Sequence, residues 1–321
     1  MGRLQLLSIH KTGNKSIPEG LVFFGYSKLI IMDNYRSFNQ EEIKSALKEI
    51  VADNSLENST ENLKLVFSMI DLTSLSADDT REKIVDLCLK ITGFSDHFPG
   101  IQNVAAICTF PSLIPVVKEF LTADGVSIAS VSAGFPSSQT FLPVKESESK
   151  MAVDAGAAEI DIVISVGKYL ENDLEFVSEE IERIKKAVAP AKLKVILETG
   201  LLPSPDDIYK ASITSLKAGA DFIKTSTGKV QPAATPEAVY VMCHAIRDFH
   251  DDTSKVAGIK PAGGISTPDQ ALMYASIIKT ILGEEWLDPN RFRIGASRLA
   301  NNILSEISHI KSGKTARASY F

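Results

Sequence analysis

The chain is poor in cysteine and histidine, and this scarcity excludes several kinds of protein. Its three cysteines among 321 residues are Cys88, Cys108 and Cys243. An odd and widely spaced set is typical of free thiols in a reducing compartment, not of a disulfide framework. The five histidines are scattered, and no Cys/His set has zinc-binding spacing. We therefore expect a cytoplasmic protein without a structural zinc site.

Long apolar runs and basic stretches are also missing. No run reaches the roughly 20 residues that a membrane span needs, and the longest candidate near the N-terminus, residues 21–32, is interrupted by Ser27 and Lys28. The formal net charge is -6, and there is no basic stripe or aromatic RNA-binding motif. Neither a membrane nor a nucleic acid is expected as a partner.

From about residue 64, short apolar segments alternate with longer segments of helical period. Apolar strands that alternate with helices form parallel βαβ units, and eight units in about 250 residues fit a closed (β/α)8 TIM barrel. A doubly wound open sheet is the alternative, but the glycines after the seventh strand lack the dinucleotide-binding spacing. The eight candidate strands are residues 63–73, 103–110, 126–135, 159–165, 193–200, 221–227, 256–264 and 292–297.

The segments between the candidate strands carry helix signals. Apolar residues recur every three or four positions in 176–188. Thr235 and Thr267 each precede a proline and an acidic residue, which predicts two helix starts. Residues 39–52 also look helical. We therefore divide the chain into an N-terminal extension, 1–60, partly helical or poorly ordered, and a barrel domain, 61–321.

Three charged residues stand in strands where a plain barrel core would not place them. Asp161 lies inside strand four, and Lys224 and Lys260 end strands six and seven. Active sites of such barrels lie at the C-terminal ends of the strands, so these side chains are expected to meet there. A lone lysine at a strand end is more often a surface residue, and Asp161 alone could be a structural partner. The combination of two lysines and one aspartate favours an active site.

These residue types point to Schiff-base chemistry. Burial lowers the pKa of an ammonium group, and a second ammonium nearby lowers the pKa further. A neutral lysine amine attacks carbonyl carbons and forms a Schiff base, and a nearby carboxylate can move protons. Lys224, Lys260 and Asp161 therefore predict a Schiff-base aldolase. The residue types alone do not decide which lysine is the nucleophile.

Turns of small residues after strands six, seven and eight indicate a phosphate site. In TIM barrels the loops after the last two strands, with a helix N-terminus, commonly bind phosphate through backbone N–H groups. Ordinary tight turns are the alternative, but three such turns on neighbouring strands favour an anion. The candidate phosphate-binding residues are Gly228, Lys229, Gly263, Gly264, Ser266, Gly295 and Ser297.

The sequence resembles the deoxyribose-phosphate aldolases, class I aldolases of nucleoside breakdown. The resemblance covers about residues 64–300, and parts of it are closer to the animal branch than to the bacterial one. Its motifs are "IDLTSL", "AAICTFP", "EIDIVI", "KVILETG", "DFIKTSTGK", "GIKPAGG" and "FRIGAS".

The resemblance implies reversible cleavage of 2-deoxy-D-ribose 5-phosphate to D-glyceraldehyde 3-phosphate and acetaldehyde. It implies that Lys224 forms the Schiff base, that Lys260 lowers its pKa, and that Asp161 belongs to the proton relay. No metal or other cofactor is implied, because the iminium serves as the electron sink. The sugar phosphate is the expected partner, and a homodimer is an assembly that the resemblance allows. The implied substrate-binding residues are Asp71, Thr73, Cys108 and Thr227.

Two other functions stay open at this level. One is a Schiff-base aldolase for a different sugar phosphate, and the other is a non-catalytic barrel relative that acts as a binding protein. Two residues are left without an assigned role. Arg298 stands where a small residue is expected in relatives, so it either adds a phosphate contact or faces solvent. Tyr320 lies in a tail that resembles one that folds over the site in bacterial relatives.

Overall fold

The computed structural model describes residues 36–53, 56–313 and 318–321. The described residues form eight strands: β1 Ile70–Thr73, β2 Ala106–Thr109, β3 Ser127–Val131, β4 Glu159–Val163, β5 Lys192–Ile196, β6 Phe222–Lys224, β7 Gly258–Lys260 and β8 Ile294–Ala296. They also form twelve α-helices: α1 Gln40–Asp53, α2 Thr60–Phe67, α3 Arg81–Thr92, α4 Phe94–His97, α5 Ile114–Phe120, α6 Leu142–Asp154, α7 Val166–Leu170, α8 Leu174–Val188, α9 Pro205–Lys217, α10 Pro236–Thr253, α11 Pro268–Leu282 and α12 Leu299–Ser312.

The strands form one parallel sheet that closes on itself. Strands β1 to β7 are neighbours in chain order, and β8 pairs with β1. Two parallel bridges, Ile259 with Phe292 and Ala262 with Gly295, join β7 to β8. The sheet is therefore a barrel with helices around it, and the predicted (β/α)8 architecture is confirmed.

The helix signals in the sequence match the helix positions. Helix α8 buries Val177, Ile181, Ile184 and Val188, which is the periodic apolar set of this segment. The Thr235 side chain accepts a hydrogen bond from the N–H of Ala238 at the start of α10, and Thr267 forms a capping box with Gln270 at the start of α11. Because α10 and α11 follow β6 and β7, these caps fix the ends of the two loops that carry the predicted site.

The first candidate strand was predicted too long. Residues 60–67 form helix α2, and β1 begins only at Ile70. Leu63, Val66 and Phe67 are buried on one helical face, and the Ser59 side chain caps the helix at its start. An apolar run of this length fits a strand and a buried helix equally well. Only the N-cap residue, Ser59, indicates a helix here.

Helix α1 lies in the segment assigned to the extension. The helix predicted over residues 39–52 is confirmed, and it packs against α10 and α11 through Ile43, Leu47 and Ile50. Residues 1–35 of the extension lie outside the described residues, and the boundary at residue 60 stays a prediction. None of the described helices is both long and apolar enough to span a membrane.

Candidate active site

The structure brings Lys224, Lys260 and Asp161 together inside the C-terminal end of the barrel. Lys224 and Lys260 occupy paired positions on β6 and β7. The Nζ atoms of both lysines donate to one oxygen, Oδ2 of Asp161, at 2.8 and 2.7 Å. All three side chains are buried. Because two amines share one carboxylate oxygen, their protonation states depend on each other.

The two lysines have pKa values displaced in opposite directions. Burial lowers the pKa of Lys224; the Asp161 carboxylate opposes this effect and the charge of Lys260 adds to it, so the pKa lies below its ordinary value. Burial also acts to lower the pKa of Lys260, but Asp161 and Asp71 together outweigh it and raise the pKa. Lys224 is therefore the lysine that more readily becomes a neutral nucleophile.

Below these residues lies a buried ion cluster that the sequence analysis does not predict. Lys194 Nζ lies 2.9 Å from Asp71 Oδ2 and 3.4 Å from Asp161 Oδ1, and it also contacts Glu159. Arg293 pairs with two acids: its Nη1 lies 2.6 Å from Asp71 Oδ1, and its Nη2 lies 2.8 Å from Glu159 Oε1. Asp71, predicted to contact substrate, lies within this cluster and is fully buried.

The charges of the cluster balance when Lys224 is neutral. Burial opposes ionisation of every member, but the opposite charges outweigh it, so the acids keep low pKa values and the partner cations keep high ones. A protonated Lys224 would add one uncompensated charge to a buried site, which is unfavourable. The acids are Asp71, Glu159 and Asp161, and the cations are Lys194, Lys260 and Arg293.

The period of a strand could have revealed part of this cluster. Glu159 and Asp161 are two residues apart on β4, so their side chains lie on the same face of the strand. Lys194 is the register partner of Asp161 on β5. Register between strands is not readable from one sequence, which is why the partner of Asp161 on β5 was not identified.

A cavity of about 620 Å³ opens over Lys224 at the mouth of the barrel. Its walls come from the loops after β1, β6, β7 and β8, and Arg298 and Phe321 contribute to them. All seven predicted phosphate-binding residues line it, as do Thr73 and Thr227. Asp161 and Lys260 lie beneath Lys224, outside the lining. The cavity can therefore place a ligand against the amine of Lys224 and against the glycine turns at once.

The glycine turns offer unpaired backbone donors to this cavity. Gly228, Gly263 and Gly264 have φ values of 76°, 87° and 79°, a region that disfavours residues with a side chain. A Cβ on Gly263 would lie 2.8 Å from the Cβ of Ala233. Among the described residues, none accepts a hydrogen bond from the N–H groups of these three glycines. Free N–H groups in glycine turns that line one cavity are typical of anion sites.

Other predicted phosphate ligands are already engaged. The N–H of Ser266 donates to Gln270 Oε1 at 2.9 Å, and the N–H of Gly295 donates to Pro261 O at 2.9 Å. Their contributions are therefore limited to the Ser266 hydroxyl and to the close packing that Gly295 allows. Lys229 extends across the mouth and donates from Nζ to Leu75 O at 2.7 Å.

Comparison with known proteins shows the family of the chain. Residues 65–280 match the family model described as DeoC/LacD family aldolase. The chain belongs to this aldolase family. A Caenorhabditis elegans protein, provisionally named a deoxyribose-phosphate aldolase, is 43% identical over 271 residues, covering 84% of this chain and 89% of that protein. Human deoxyribose-phosphate aldolase is 42% identical over 260 residues, covering 78% and 81%.

The fold also matches a solved member of the family. The tetrameric deoxyribose phosphate aldolase of Aeropyrum pernix has a TM-score of 0.59 and 25% identity to this chain, with 86% of this chain and 100% of that chain covered.

In this aldolase, Cys108 is buried beside the ion cluster and does not line the cavity. Burial raises the pKa of its thiol to about 11, so the group is an uncharged thiol at neutral pH and not an activated nucleophile. Contact of Cys108 or Asp71 with substrate stays a prediction. Thr227 lines the cavity, but its hydroxyl donates to Glu198 Oε2 at 2.6 Å.

The aromatic C-terminus packs beside the cavity. The Tyr320 hydroxyl donates to Lys90 O at 2.7 Å, and its ring packs against Phe94 and Phe98. In this arrangement Tyr320 is held at the side of α3 and α4, while the neighbouring Phe321 lines the cavity. A proton-relay role for Tyr320 would require this hydroxyl to leave Lys90.

Proposed function

We propose that this aldolase cleaves 2-deoxy-D-ribose 5-phosphate to D-glyceraldehyde 3-phosphate and acetaldehyde, reversibly, through a Schiff base on Lys224. The observation that carries the proposal is the buried Lys224 amine, with its lowered pKa, at the base of a cavity whose rim presents free backbone N–H groups. The names of the human and Caenorhabditis elegans relatives support the same substrate.

The substrate lies between two kinds of group. The phosphate binds to the N–H groups of Gly228, Gly263 and Gly264, and Lys229 exchanges its contact with Leu75 for the anion. The open-chain aldehyde carbon, C1, is then directed towards Lys224. The remaining predicted phosphate ligands, Ser266, Gly295 and Ser297, and the predicted sugar contacts, Thr73 and Thr227, complete the enclosure.

The first half of the reaction forms the iminium. The neutral amine of Lys224 attacks C1, the C1–N bond forms, and one proton of the nitrogen passes to the carbonyl oxygen, which becomes a hydroxyl. Lys260, kept protonated by its acidic neighbours, supplies a proton through the oxygen of Asp161 that it shares with Lys224. The C1 hydroxyl then leaves as water, and the C1–N bond becomes a double bond.

The second half breaks the carbon chain. The C3 hydroxyl loses its proton, which returns through Asp161 to Lys260, and a carbonyl forms at C3. The electron pair of the C2–C3 bond becomes the second bond between C1 and C2, and the π pair of the C1–N bond returns to nitrogen to give an enamine. Glyceraldehyde 3-phosphate leaves. Protonation of the enamine at C2 and hydrolysis of the resulting iminium release acetaldehyde and regenerate Lys224. No step uses a metal or a cofactor, and we expect turnover to be unchanged by EDTA.

Borohydride trapping tests this proposal directly. With acetaldehyde and borohydride, the reduced Schiff base should appear as an ethyl group on the peptide that contains Lys224, and Lys224→Met should remove both the adduct and turnover. An adduct on Lys260 would reverse the two roles. An adduct without cleavage of deoxyribose 5-phosphate would favour another sugar phosphate, and the absence of both would favour a non-catalytic binding protein.

We also propose a cellular location and an assembly for the chain. The three cysteines are free and buried, which supports a reducing compartment such as the cytoplasm. A homodimer is the assembly that we expect, and the tetrameric state is known here only for the Aeropyrum pernix protein. Light scattering on the purified full chain would decide between a monomer, a dimer and a tetramer.

A further inference from the structure

The turn after β5 holds a residue in an unusual backbone conformation beside the site. Glu198 has φ 53° and ψ 56°, the left-handed region, which is unfavourable for a residue with a side chain. Its side chain points inward, and the residue is only 2% exposed. A conformation of this kind persists where the surrounding structure stabilises it, and the contacts of Glu198 show what that structure is.

Both carboxylate oxygens of Glu198 bind one residue, Thr227. Oε1 accepts from the Thr227 N–H at 3.1 Å, and Oε2 accepts from the Thr227 hydroxyl at 2.6 Å. Across the described ranges no lysine, arginine or histidine forms an ion pair with Glu198. A buried acid without a cation depends on its hydrogen bonds, and here both come from the loop after β6.

The other side of the same loop is attached to β7. The Thr225 hydroxyl accepts from the N–H of Ala262 at 2.9 Å, and the Ser226 hydroxyl donates to the carbonyl of Ala262 at 2.5 Å. Thr225 and Ser226, the first two hydroxyl residues after Lys224, therefore share Ala262 as their partner, whereas Thr227 binds Glu198. Two of them attach the loop to the β7 side, and Thr227 attaches it to Glu198 on the β5 side.

The turn after β5 also touches the far part of the β6 loop. A Cβ on Gly200 would lie 2.0 Å from the carbonyl oxygen of Pro232, so the backbone of the loop lies directly against this turn. Glu198 and Gly200 thus contact the loop before and after the predicted phosphate-binding pair, Gly228 and Lys229. Movement of this turn would displace that pair from both sides.

A chain of hydrogen bonds leads from Glu198 to the predicted phosphate ligands. The Thr227 hydroxyl oxygen accepts from the N–H of Lys229 at 3.0 Å, which folds the backbone tightly around Gly228. We propose that Glu198 is a positioning residue that, through Thr227, fixes the turn of Gly228 and Lys229 in the geometry that binds the substrate phosphate. This inference rests on the proposed function of the cavity.

Lys224 itself has independent support. Its carbonyl accepts from the N–H of Leu197 at 2.9 Å, and its amine is held by Asp161. Loss of the Glu198 carboxylate should therefore disturb phosphate binding more than Schiff-base formation. This separation distinguishes a positioning role from a general loss of structure, which would weaken both.

The test compares Glu198→Gln with the unmodified full chain. Glutamine keeps the shape but has an NH2 donor in place of one carboxylate oxygen, so one of the two bonds from Thr227 loses its acceptor. We expect the KM for deoxyribose 5-phosphate and the inhibition constant of inorganic phosphate to rise about tenfold, as the loss of a hydrogen bond to a charged group would give. The rate of borohydride trapping with acetaldehyde, which has no phosphate, should stay nearly constant. Glu182→Gln, at an exposed position on α8, is the control.

Thr227 variants complete the experiment. Thr227→Val should reproduce the effect, Thr227→Ser should retain near-normal phosphate affinity, and Glu198→Gln with Thr227→Val together should be little worse than either alone. An unchanged inhibition constant in Glu198→Gln, or additive losses in the double variant, would overturn the proposal. If Glu198→Gln does not fold, the comparison of phosphate affinity between Thr227→Val and Thr227→Ser tests the proposal instead. If the unmodified chain lacks aldolase activity, calorimetric binding of inorganic phosphate by the same variants still tests the positioning role.

Discussion

Lys224 and Lys260 stand opposite each other on β6 and β7, and their amines donate to the same oxygen of Asp161. Lys260 also forms an ion pair with Asp71, whereas Lys224 faces the cavity. One shared acceptor therefore supports two different amines, one held as an ammonium ion and one more easily neutral. Lys260 is held as an ammonium ion because it contacts a second acid, Asp71. This contact with Asp71, and not a difference between the two lysine side chains, makes Lys224 the nucleophile.

Replacing Lys260 should raise the pH at which the Lys224 amine becomes reactive. The charge of Lys260 lowers the pKa of Lys224, and the Asp161 carboxylate raises it. In Lys260→Met the lowering charge is gone and the carboxylate acts on Lys224 alone, so both changes raise the pKa. The rise of acetaldehyde trapping with pH, measured with cyanoborohydride, should therefore shift upward, with Lys186→Met, on the exposed face of α8, as control. A downward shift would contradict this assignment.

Replacing Asp161 should have the opposite effect on the pKa and a severe effect on turnover. Asp161→Asn removes the group that raises the pKa of Lys224, so trapping should begin at lower pH than in the unmodified chain. Turnover of deoxyribose 5-phosphate should nevertheless fall by about 10²–10⁴-fold, the usual contribution of a positioned acid or base. Measuring both quantities in one preparation separates the two effects, and turnover within threefold of normal would exclude Asp161 from the proton relay.

The sequence was most informative where a residue contradicts its surroundings. Lys224 and Lys260 stand out because ammonium groups are rare in apolar strands, and their strand positions then place them together. Lys194 was not recognised, since its role depends on its register with Asp161 on β4. The left-handed backbone of Glu198 leaves no mark in one sequence, because glycine is the residue that normally indicates such a turn. Contacts between distant strands and unusual backbone angles thus needed coordinates.

Lys229 should affect binding of phosphorylated substrate and little else. Its side chain is exposed, and among the described residues its amine forms a hydrogen bond with the Leu75 carbonyl alone, so its removal should not destabilise the fold. Lys229→Ala is expected to raise the KM for deoxyribose 5-phosphate about tenfold, which is the loss of one charge-assisted hydrogen bond. The kcat/KM for unphosphorylated deoxyribose should stay unchanged.

A neighbouring cation provides the comparison for Lys229. Arg298 lines the same cavity, and no acid of the described residues pairs with its guanidinium. Arg298→Ala tests whether this unusual residue adds a phosphate contact or only faces solvent. Equal losses with phosphorylated and unphosphorylated deoxyribose in Lys229→Ala would show that the lysine does not recognise the phosphate.

The ion cluster below the site should make stability depend on pH in a defined direction. The folded-state pKa values of Asp71, Glu159 and Asp161 lie below their ordinary values. Their ionised forms therefore contribute stability that is fully present above the unfolded pKa values of about 4 and is lost as the pH falls towards the folded values. The free energy of unfolding, measured in urea, should decrease steadily below about pH 4.

Removing Arg293 should weaken the fold most where these acids are charged. Arg293→Met leaves Asp71 and Glu159 short of a partner, which should cost about 3–5 kcal/mol of unfolding free energy at pH 7. In this variant Asp71 and Glu159 regain more ordinary pKa values and take up protons more readily. The difference in unfolding free energy from the unmodified chain should therefore shrink as the pH falls. Arg183→Met, which removes a partly exposed pair with Glu146, should cost about 1 kcal/mol or less. A loss in Arg293→Met that is the same at pH 7 and pH 4 would show that packing, not charge, accounts for the role of Arg293.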